Sequence, residues 1–351
     1  MSVQTRRSAG TAWAAGDDCL VCQSVRDETR DVKSFRFAAE SGARFVFHPG
    51  QYLTLAVPLE TGPAWRSFTI ASSALRDESV DLTIKAQADG NATRWLHDHL
   101  RPGMGLAGRK PGGSFRLESI PERPLVLVSA GSGATPMAAI LRWLADHGAP
   151  TRVHHVHVGR TPEDLLFRRE LSTLAERTGR WTLDWMVTRG VAQDGIRAGR
   201  PDAGLFGKLI PTLGEAEVFA CGPGAFMAAV EAAHRAAGGA PERFHQEGFG
   251  GEGSMVVPPQ PTTQEQVVRF LPSGKETRTR PGESILEAGL RLGVRIPNSC
   301  RQGICGSCLV QKETGEVAMN HEGGISDEEV ADGAILACCS YPRSPVTVKV
   351  S

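Results

Sequence analysis

The chain has 351 residues, and its 39 lysines and arginines are balanced by 39 aspartates and glutamates. This balance disfavours nucleic-acid binding, and the 22% charged and 40% hydrophobic residues exclude a disordered chain. No apolar run approaches the roughly 20 residues of a membrane span, and no secretory signal is visible at the N-terminus. We therefore expect a cytoplasmic protein of about two or three domains.

The first 118 residues predict a flexible arm followed by an all-β domain. Residues 1–15 have the composition of a loose N-terminal arm. Residues 16–118 contain short β-like runs separated by Gly, Pro and Asp, which is typical of a small antiparallel β-barrel. We predict one helix at Arg94–Leu100 and strands at Cys19–Val25, Ser34–Phe37, Tyr52–Val57, Ser67–Ile70 and Val80–Lys85.

Strands and helices alternate in residues 119–247. This alternation predicts a doubly wound α/β domain with a parallel sheet. The predicted strands are Leu125–Ser129, Val153–Val158 and Glu217–Ala220, and the predicted helices are Pro136–His147, Glu163–Glu176 and Ala225–Ala237. The histidines of the second strand (His154, His155 and His157) are interpreted as part of a packed strand rather than as metal ligands.

A cysteine cluster marks the last domain, residues 265–351, which follows a Gly- and Pro-rich linker at 248–264. The spacing Cys300-x4-Cys305-x2-Cys308, with Cys338 far along the chain, is that of plant-type [2Fe–2S] ligation. Gly303 and Gly306 allow the tight bends that such a loop needs. Zinc is disfavoured because ribbon-type zinc sites use paired C-x2-C knuckles and one knuckle is present.

Two adjacent cysteines, Cys338 and Cys339, compete for the fourth position. Neighbouring residues of a strand face opposite ways, so both thiols are not expected to ligate together. The Leu-Ala-Cys register favours Cys338 as the ligand. The metal ligands predicted are therefore Cys300, Cys305, Cys308 and Cys338.

The text around these cysteines, PGESILEAGLRLGVRIPNSCRQGICGSCLV and ISDEEVADGAILACCSYP, resembles the plant-type ferredoxin domain. The resemblance implies an α+β β-grasp fold for this domain. It also implies that Cys300 and Cys305 hold the outer iron, with Cys308 and Cys338 on the inner one.

Two motifs in the barrel resemble the flavin site of the ferredoxin–NADP reductase superfamily. Arg66-Ser67-Phe68-Thr69 resembles its Arg-x-Tyr-Ser motif, which implies that Arg66 pairs with flavin phosphate, Phe68 lies along the ring and Thr69 bonds near N5. Gly90-Asn91-Ala92-Thr93 resembles the Gly-x-x-Ser stretch, with Thr93 expected as a helix N-cap. Lys85 is a further expected cofactor contact. We favour FAD, with FMN as the alternative.

Four motifs in residues 131–249 resemble the superfamily's nicotinamide site and the part of the chain that closes its flavin pocket. Gly131-Ser132-Gly133-Ala134-Thr135-Pro136 lies at a strand-to-helix turn, where glycines and a helix N-terminus suit phosphates. Cys221-Gly222-Pro223 resembles the Cys-Gly-Pro beside the nicotinamide, and Glu247 and Phe249 match the Glu-x-Phe that closes the flavin pocket. Gly159-Arg160 matches the adenosine-side turn. No basic pair for a 2′-phosphate is visible, which favours NADH, with NADPH as the alternative.

The order of the three segments resembles flavin and iron–sulfur reductases that serve Rieske-type oxygenases, especially glycine betaine monooxygenases. Hybrid-cluster-protein reductases and phenylacetyl-CoA epoxidase reductases share it. The resemblance implies hydride transfer from nicotinamide to flavin, then single electrons through the cluster to a partner protein. A different class remains as an alternative: a metal-binding regulatory or interaction protein on a degenerate reductase scaffold. The acidic run from Glu313 to Asp332 is interpreted as a solvated surface, with partner docking as its alternative.

Overall fold

A computed structural model describes residues 12–13, 18–60, 62–87, 90–248, 265–298, 301, 303, 306, 308–321, 324–325 and 327–350. The predicted linker 248–264, apart from Gly248, and the ligand positions Cys300 and Cys305 lie outside the described residues, as does Phe249. No helix in the described part of the chain has the length and apolarity needed to cross a membrane.

The first domain is the antiparallel barrel that the sequence predicts. Its strands are β1 (Leu20–Thr29), β2 (Val32–Ala39), β3 (Tyr52–Leu59), β4 (Gly62–Thr69), β5 (Val80–Lys85), β6 (Gly105–Leu106) and β7 (Gly108–Gly112), and its helix is α1 (Asn91–His99). They form sheets in the orders β5-β2-β1-β6 and β4-β3-β7. An isolated bridge between Ile70 and Leu82 connects β4 to β5.

Part of the predicted N-terminal arm packs on this barrel. Trp13 is buried, its ring centroid lies 5.5 Å from that of Phe45, and its amide donates to the carbonyl oxygen of Arg44. The residues on either side of Ala12 and Trp13 lie outside the described range.

The second domain is a six-stranded parallel sheet with helices on both faces. Its elements are β8 (Leu125–Ala130), α2 (Ala134–Asp146), β9 (Val153–Gly159), α3 (Arg168–Thr178), β10 (Trp181–Val187), β11 (Ile196–Ala198), α4 (Ala203–Leu209), β12 (Glu217–Cys221), α5 (Gly224–Ala236) and β13 (Phe244–Glu247). The strand order is β11-β10-β9-β8-β12-β13, so the winding reverses between β8 and β12. Ligands bind such sheets at the carboxyl ends of the strands flanking this switch point.

The third domain is a β-grasp unit. It contains β14 (Val267–Leu271), β15 (Lys275–Arg278), α6 (Ile285–Arg291), β16 (Leu309–Thr314), β17 (Val317–Met319), α7 (Asp327–Ala331), β18 (Ala334–Leu336), β19 (Ser340–Pro342) and β20 (Val346–Lys349). The main sheet has the order β15-β14-β20-β16-β18. A capping box between Ser284 and Glu287 begins α6, which packs its apolar residues into the core of this domain.

The structure corrects two predicted helices. The helix predicted to begin at Arg94 begins at Asn91, because Gly90 takes an extended conformation and serves as its N-cap. The helix predicted at Glu163–Glu176 begins only at Arg168. Pro162–Asp164 form a separate 3-10 turn, and Phe167, in a left-handed conformation, is the N-cap residue of the helix.

Candidate functional site

The switch point of the parallel sheet brings two predicted nicotinamide motifs together. β8 ends at the turn Gly131–Gly133, and the neighbouring β12 ends at Cys221. A β carbon on Gly133 would overlap the carbonyl oxygen of Cys221, so only glycine permits this approach. The Gly-rich turn and the thiol therefore lie side by side at the carboxyl ends of β8 and β12.

Glu247 lies beside Cys221 at the same end of the sheet. β12 and β13 are parallel, and their register pairs Cys221 with Glu247. The thiol is fully buried. Its burial is the main reason that the pKa of Cys221 lies well above its usual value, and the negative charge of the nearby Glu247 carboxylate raises this pKa further. The thiol consequently stays protonated at neutral pH, which suits packing against a ligand rather than nucleophilic chemistry.

Other predicted nicotinamide residues shape the turns. The Thr135 hydroxyl donates to the carbonyl oxygen of Ser132 at 3.0 Å, and Thr135 and Pro136 are buried in the first turn of α2. A β carbon on Gly222 would lie 2.8 Å from the Phe226 ring. Pro223 is the N-cap residue of α5. These residues determine the path of the backbone in the two turns. The backbone amides of the turns are then the groups that would bind phosphate.

The flavin motif lies on β4, at the edge of its three-stranded sheet. The Arg66 guanidinium donates to the carbonyl oxygen of Trp65 at 2.8 Å. The Ser67 hydroxyl lies 2.8 Å from that of Thr54 on β3. Thr69 is buried and is paired with Tyr52. Of the four motif residues, Ser67 is thus engaged by the neighbouring strand, while Phe68 packs on the barrel core.

Helix α1 offers a second phosphate-binding element. No side chain caps its N-terminus at Gly90. The expectation that Thr93 is the N-cap is wrong. Thr93 lies in the first turn, where its hydroxyl donates to the carbonyl oxygen of Gly90 and accepts from the amide of Gln87. Asn91 is exposed and Ala92 is buried against the barrel. The uncapped amides fit the anionic phosphates of a flavin nucleotide.

Two predicted cofactor cations from different domains meet at Asp31, which the sequence reasoning missed. The Lys85 amine lies 3.4 Å from the Asp31 carboxylate, and Arg160, which follows Gly159 at the end of β9, lies 3.2 Å from it. Arg160 also pairs with Asp164 at 3.1 Å. Burial raises the pKa of Asp31, but the charge of Lys85 and hydrogen bonds outweigh it, so the pKa lies below its usual value.

The cluster site is described at two of its four predicted ligands. Cys308 and Cys338 are both buried, and the Cys338 amide donates to the Cys308 sulfur at 3.4 Å. Gly303 and Gly306 adopt left-handed conformations, with φ of 69° and 67°. Two converging thiols and a loop bent by glycines fit a [2Fe–2S] cluster, whose sulfurs need close amide donors.

The strand alternation expected for Cys338 and Cys339 is wrong. β18 ends at Leu336, and Ala337–Cys339 form a 3-10 turn. The two thiols nevertheless differ in surroundings. The Cys339 thiol donates to the Leu336 carbonyl oxygen at 3.7 Å, and a β carbon on Gly303 would lie 2.9 Å from its sulfur. The turn, rather than a pleat, therefore separates the two side chains.

Gly306, a described residue of the predicted cluster loop at residues 300–308, contacts the flavin barrel. A β carbon on Gly306 would overlap the Arg109 guanidinium, whose central carbon would lie 3.4 Å away. The same guanidinium lies over the Trp65 ring, 4.8 Å from its centroid. Trp65 immediately precedes Arg66 of the flavin motif. Neither Arg109 nor Trp65 carries a sequence motif, and only the folded arrangement brings them to the cluster loop.

A buried arginine connects the nicotinamide domain to the barrel. Arg142 of α2 donates to the Ala71 carbonyl oxygen at 2.6 Å, two residues beyond Thr69. It also makes two bonds to Glu170, of 2.7 and 2.6 Å. The more exposed pair Arg76–Asp146 crosses the same boundary. These bonds hold the flavin strand against the helix that follows the Gly-rich turn.

Comparisons with known families agree with this three-part site. Residues 20–117 match the oxidoreductase FAD-binding domain, residues 127–232 the oxidoreductase NAD-binding domain, and residues 268–343 the 2Fe-2S iron-sulfur cluster binding domain.

Whole-length relatives share the same arrangement. The chain is 36% identical over 352 residues to a glycine betaine monooxygenase reductase subunit of Pseudomonas aeruginosa strain UCBPP-PA14, covering 96% of each chain. It is 38% identical to a stachydrine N-demethylase reductase subunit of Rhizobium meliloti, covering 94% of this chain and 96% of the relative. A solved phthalate dioxygenase reductase, described as modular for electron transfer from pyridine nucleotides to [2Fe-2S], superposes with a TM-score of 0.60. Its identity is 25% over 95% of this chain and 97% of that one.

The relatives are named reductase subunits, and the flavin, nicotinamide and cluster elements occur together in one chain. This favours an oxidoreductase over a regulatory protein on a degenerate scaffold. FAD, a nicotinamide nucleotide and a [2Fe–2S] cluster are the cofactors that the three domains hold. The chain belongs to the family of oxygenase reductase components that join FAD-binding, NAD-binding and ferredoxin domains in one polypeptide.

Proposed function

We propose that this reductase takes hydride from NADH rather than NADPH and delivers single electrons to a Rieske-type oxygenase in the cytoplasm. Bound FAD would supply the conversion of a two-electron hydride into the single electrons that a [2Fe–2S] centre requires. We propose working units at 16–118 for FAD, 119–247 for the nucleotide and 265–351 for the cluster, with a linker at 248–264 and an arm at 1–15 whose Trp13 packs on the barrel.

The proposed roles follow the motifs. The residues that border the reacting rings are Cys221, Thr69, Glu247 and Phe249. The residues that hold the cluster are Cys300, Cys305, Cys308 and Cys338. The flavin contacts are Arg66, Ser67, Phe68, Thr69, Lys85 and Gly90 to Thr93. The nucleotide contacts are Gly131, Gly133, Thr135, Pro136, Gly159, Arg160, Cys221, Gly222 and Pro223.

The preference for NADH rests on one observation, the pairing of Arg160 with Asp31 and Asp164. Arg160 is the cation of the adenosine-side turn, and a 2′-phosphate would need it. Two carboxylates already neutralise this guanidinium, and both would repel an additional phosphate. NADH lacks that phosphate, so it avoids the repulsion.

The test compares nucleotides at the flavin level. With ferricyanide as the electron acceptor, we expect the parent to have a higher kcat/KM for NADH than for NADPH. Asp164→Asn removes one repelling charge and should raise the NADPH:NADH ratio of kcat/KM about tenfold, the size of a modest charge effect. Glu231→Gln, which removes a carboxylate paired with the exposed Arg235 on α5, is the matched control. A parent that prefers NADPH would overturn the proposal.

The partner is inferred from the relatives' names. Glycine betaine monooxygenase and stachydrine N-demethylase reductase subunits cover almost the whole chain. An oxygenase that demethylates glycine betaine or a related compound is therefore the proposed electron acceptor. The test supplies the purified oxygenase component of such a system, NADH and glycine betaine, and follows loss of the substrate's methyl group. If the reductase reduced cytochrome c rapidly but neither glycine betaine nor stachydrine lost a methyl group, the proposed partner would be contradicted.

A further inference from the structure

The contact between the flavin barrel and the cluster loop depends on an arginine that the cofactor motifs do not include. Arg109 lies on β7, where it is paired with Thr54 of β3. On the other side of β3, Ala56 is paired with Trp65. Trp65 and Arg109 are therefore diagonal neighbours across one strand, and residues two apart on that strand share a face. Their face is the one that meets the cluster loop.

The guanidinium is held on both sides. Its central carbon lies 4.8 Å from the Trp65 ring centroid, within the range of a cation–π contact. On the other side stands the backbone of Gly306, buried and with a left-handed φ of 67°. A side chain at position 306 would overlap the guanidinium. The glycine thus serves two needs: the bend of the loop and the approach of a charged group.

The position along the loop gives this charge its significance. Gly306 lies between the proposed ligand Cys305 and the buried ligand Cys308. An iron–sulfur centre with four thiolates is a net anion and gains a further negative charge on reduction. Arginine stays charged at all physiological pH values, and nearby charge is one of the features that set cluster potentials. A fixed cation at the loop backbone favours the reduced form.

We propose that Arg109, held by Trp65, docks the cluster loop on the flavin barrel and raises the reduction potential of the cluster. It is a positioning residue, because it acts through the loop backbone and the electric field. The proposal rests on the proposed order of electron flow from flavin to cluster. Docking shortens the path for electrons, and the raised potential directs them towards the cluster.

The experiment uses the full chain with both cofactors. Arg109→Gln removes the charge, Arg109→Lys keeps it without the planar stacking surface, and Lys110→Gln is the matched control. Lys110 is the next residue of the same strand and is exposed, so its charge lies in solvent. The readouts are the cluster midpoint potential in an anaerobic redox titration and hydrogen exchange of residues 62–69 and 105–112.

We expect Arg109→Gln to lower the equilibrium constant for cluster reduction about tenfold, or about 59 mV for one electron. It should also speed exchange at both strands. Arg109→Lys should restore the potential but not the slow exchange. Lys110→Gln should match the parent in midpoint potential and in hydrogen exchange. The rate of flavin reduction by NADH should be unchanged in all variants.

A parent-like potential and exchange in Arg109→Gln would overturn the proposal. If that variant loses iron, Trp65→Leu decides instead, since it keeps the charge and removes its support. Unchanged exchange in Trp65→Leu would equally refute the docking role. Failure of the proposed function is distinguishable, because the parent itself would then leave its cluster oxidised with NADH.

Discussion

Gly133 and Cys221 touch through their backbones at the switch point of the parallel sheet. The absent side chain of Gly133 leaves room for the Cys221 carbonyl oxygen, and the Cys221 sulfur would lie 3.2 Å from a β carbon placed there. This contact fixes the distance between the turn that would bind phosphates and the thiol that would border the nicotinamide. We therefore expect main-chain packing to set the geometry of hydride transfer.

Gly133→Ala should slow flavin reduction by NADH about a hundredfold, because the new methyl group forces the Gly-rich turn away from Cys221 and small displacements are costly in oriented reactions. Anaerobic stopped-flow at saturating NADH measures this rate. Gly207→Ala is the control, since a β carbon there meets no atom within 4 Å and helix α4 should tolerate it. Equal rates in Gly133→Ala and the parent would contradict the packing argument.

Cys221→Ala should lower the rate of flavin reduction about tenfold while the affinity for NADH changes little. The thiol is protonated, so its expected role is to orient the nicotinamide, and orientation affects chemistry more than binding. Cluster reduction should slow in step, because electrons reach it through the flavin. Stopped-flow traces over a range of NADH concentrations separate the two constants. A variant that reduces its flavin at the parent rate would leave Cys221 only a packed thiol.

Cys338→Ala should abolish iron binding, and Cys339→Ala should retain it. The Cys338 amide bonds to the sulfur of Cys308, whereas the Cys339 thiol donates away, to the Leu336 carbonyl oxygen. Iron per chain and the visible spectrum of each purified variant measure the outcome. Flavin absorbance serves as the internal control for folding. The opposite pattern of iron retention would exchange the roles of the two cysteines.

Arg142→Met should destabilise the chain by about 2–4 kcal/mol, because it leaves Glu170 and the Ala71 carbonyl without a partly buried partner. The Arg142 side chain is only 10% exposed, whereas that of Arg76 is 70% exposed. Arg76→Met should therefore cost at most about 1 kcal/mol. Urea unfolding followed by circular dichroism measures both. Similar losses of unfolding free energy in the two variants would show that the burial of Arg142 adds nothing to stability.

Acid should destabilise the nicotinamide domain below about pH 6.5. Burial lowers the pKa of His155 to about 4 and that of His157 to about 3. Among the described residues, Nε2 of neither ring has a hydrogen-bond partner. The unfolded chain takes up these protons first as the pH falls, so stability is lost between pH 6.5 and the folded values. In this range the free energy of unfolding falls by up to about 1.4 kcal/mol per pH unit for each histidine.

His155→Phe should remove about half of this pH dependence, since one of the two buried titrating groups is gone. Urea midpoints of parent and variant at pH 7.5 and pH 5.5 test it. His147→Gln is the control, because it removes a histidine that lies exposed at the end of α2 rather than buried in the sheet. A variant as acid-sensitive as the parent would show that other groups dominate the acid response.

The sequence was most informative where local pattern decides structure. The prediction of Val80–Lys85 agrees with β5 at both ends, because apolar residues alternate with polar ones along VDLTIK. β7 was missed: its residues GRKPG contain Gly, Lys and Pro, which are rare in strands. β13 was missed too, because its four residues FHQE have no apolar alternation. Both strands form by pairing with partners that local sequence cannot reveal.

The candidate site shows the same difference between what local sequence predicts and what only the packing of distant segments reveals. The spacing of the cysteines predicted two thiols that the structure brings together, and the glycines predicted two turns that it bends. Asp31, Arg109 and Arg142 carry no motif. Each acts across a boundary between domains, so its importance arises only from the packing of distant segments. The strand expected at Cys338 and Cys339 is likewise absent, because Ala337–Cys339 form a 3-10 turn.

The Arg142 bond also governs how parts of this chain can be recombined. Its acceptor at residue 71 is a main-chain carbonyl, so the bond makes no demand on which amino acid stands there. A barrel borrowed from a relative would satisfy the arginine wherever it keeps the same backbone path after its flavin strand. The Arg76–Asp146 pair, by contrast, requires both side chains. Chimeric reductases with new barrels can therefore keep the helix α2 of this chain unaltered.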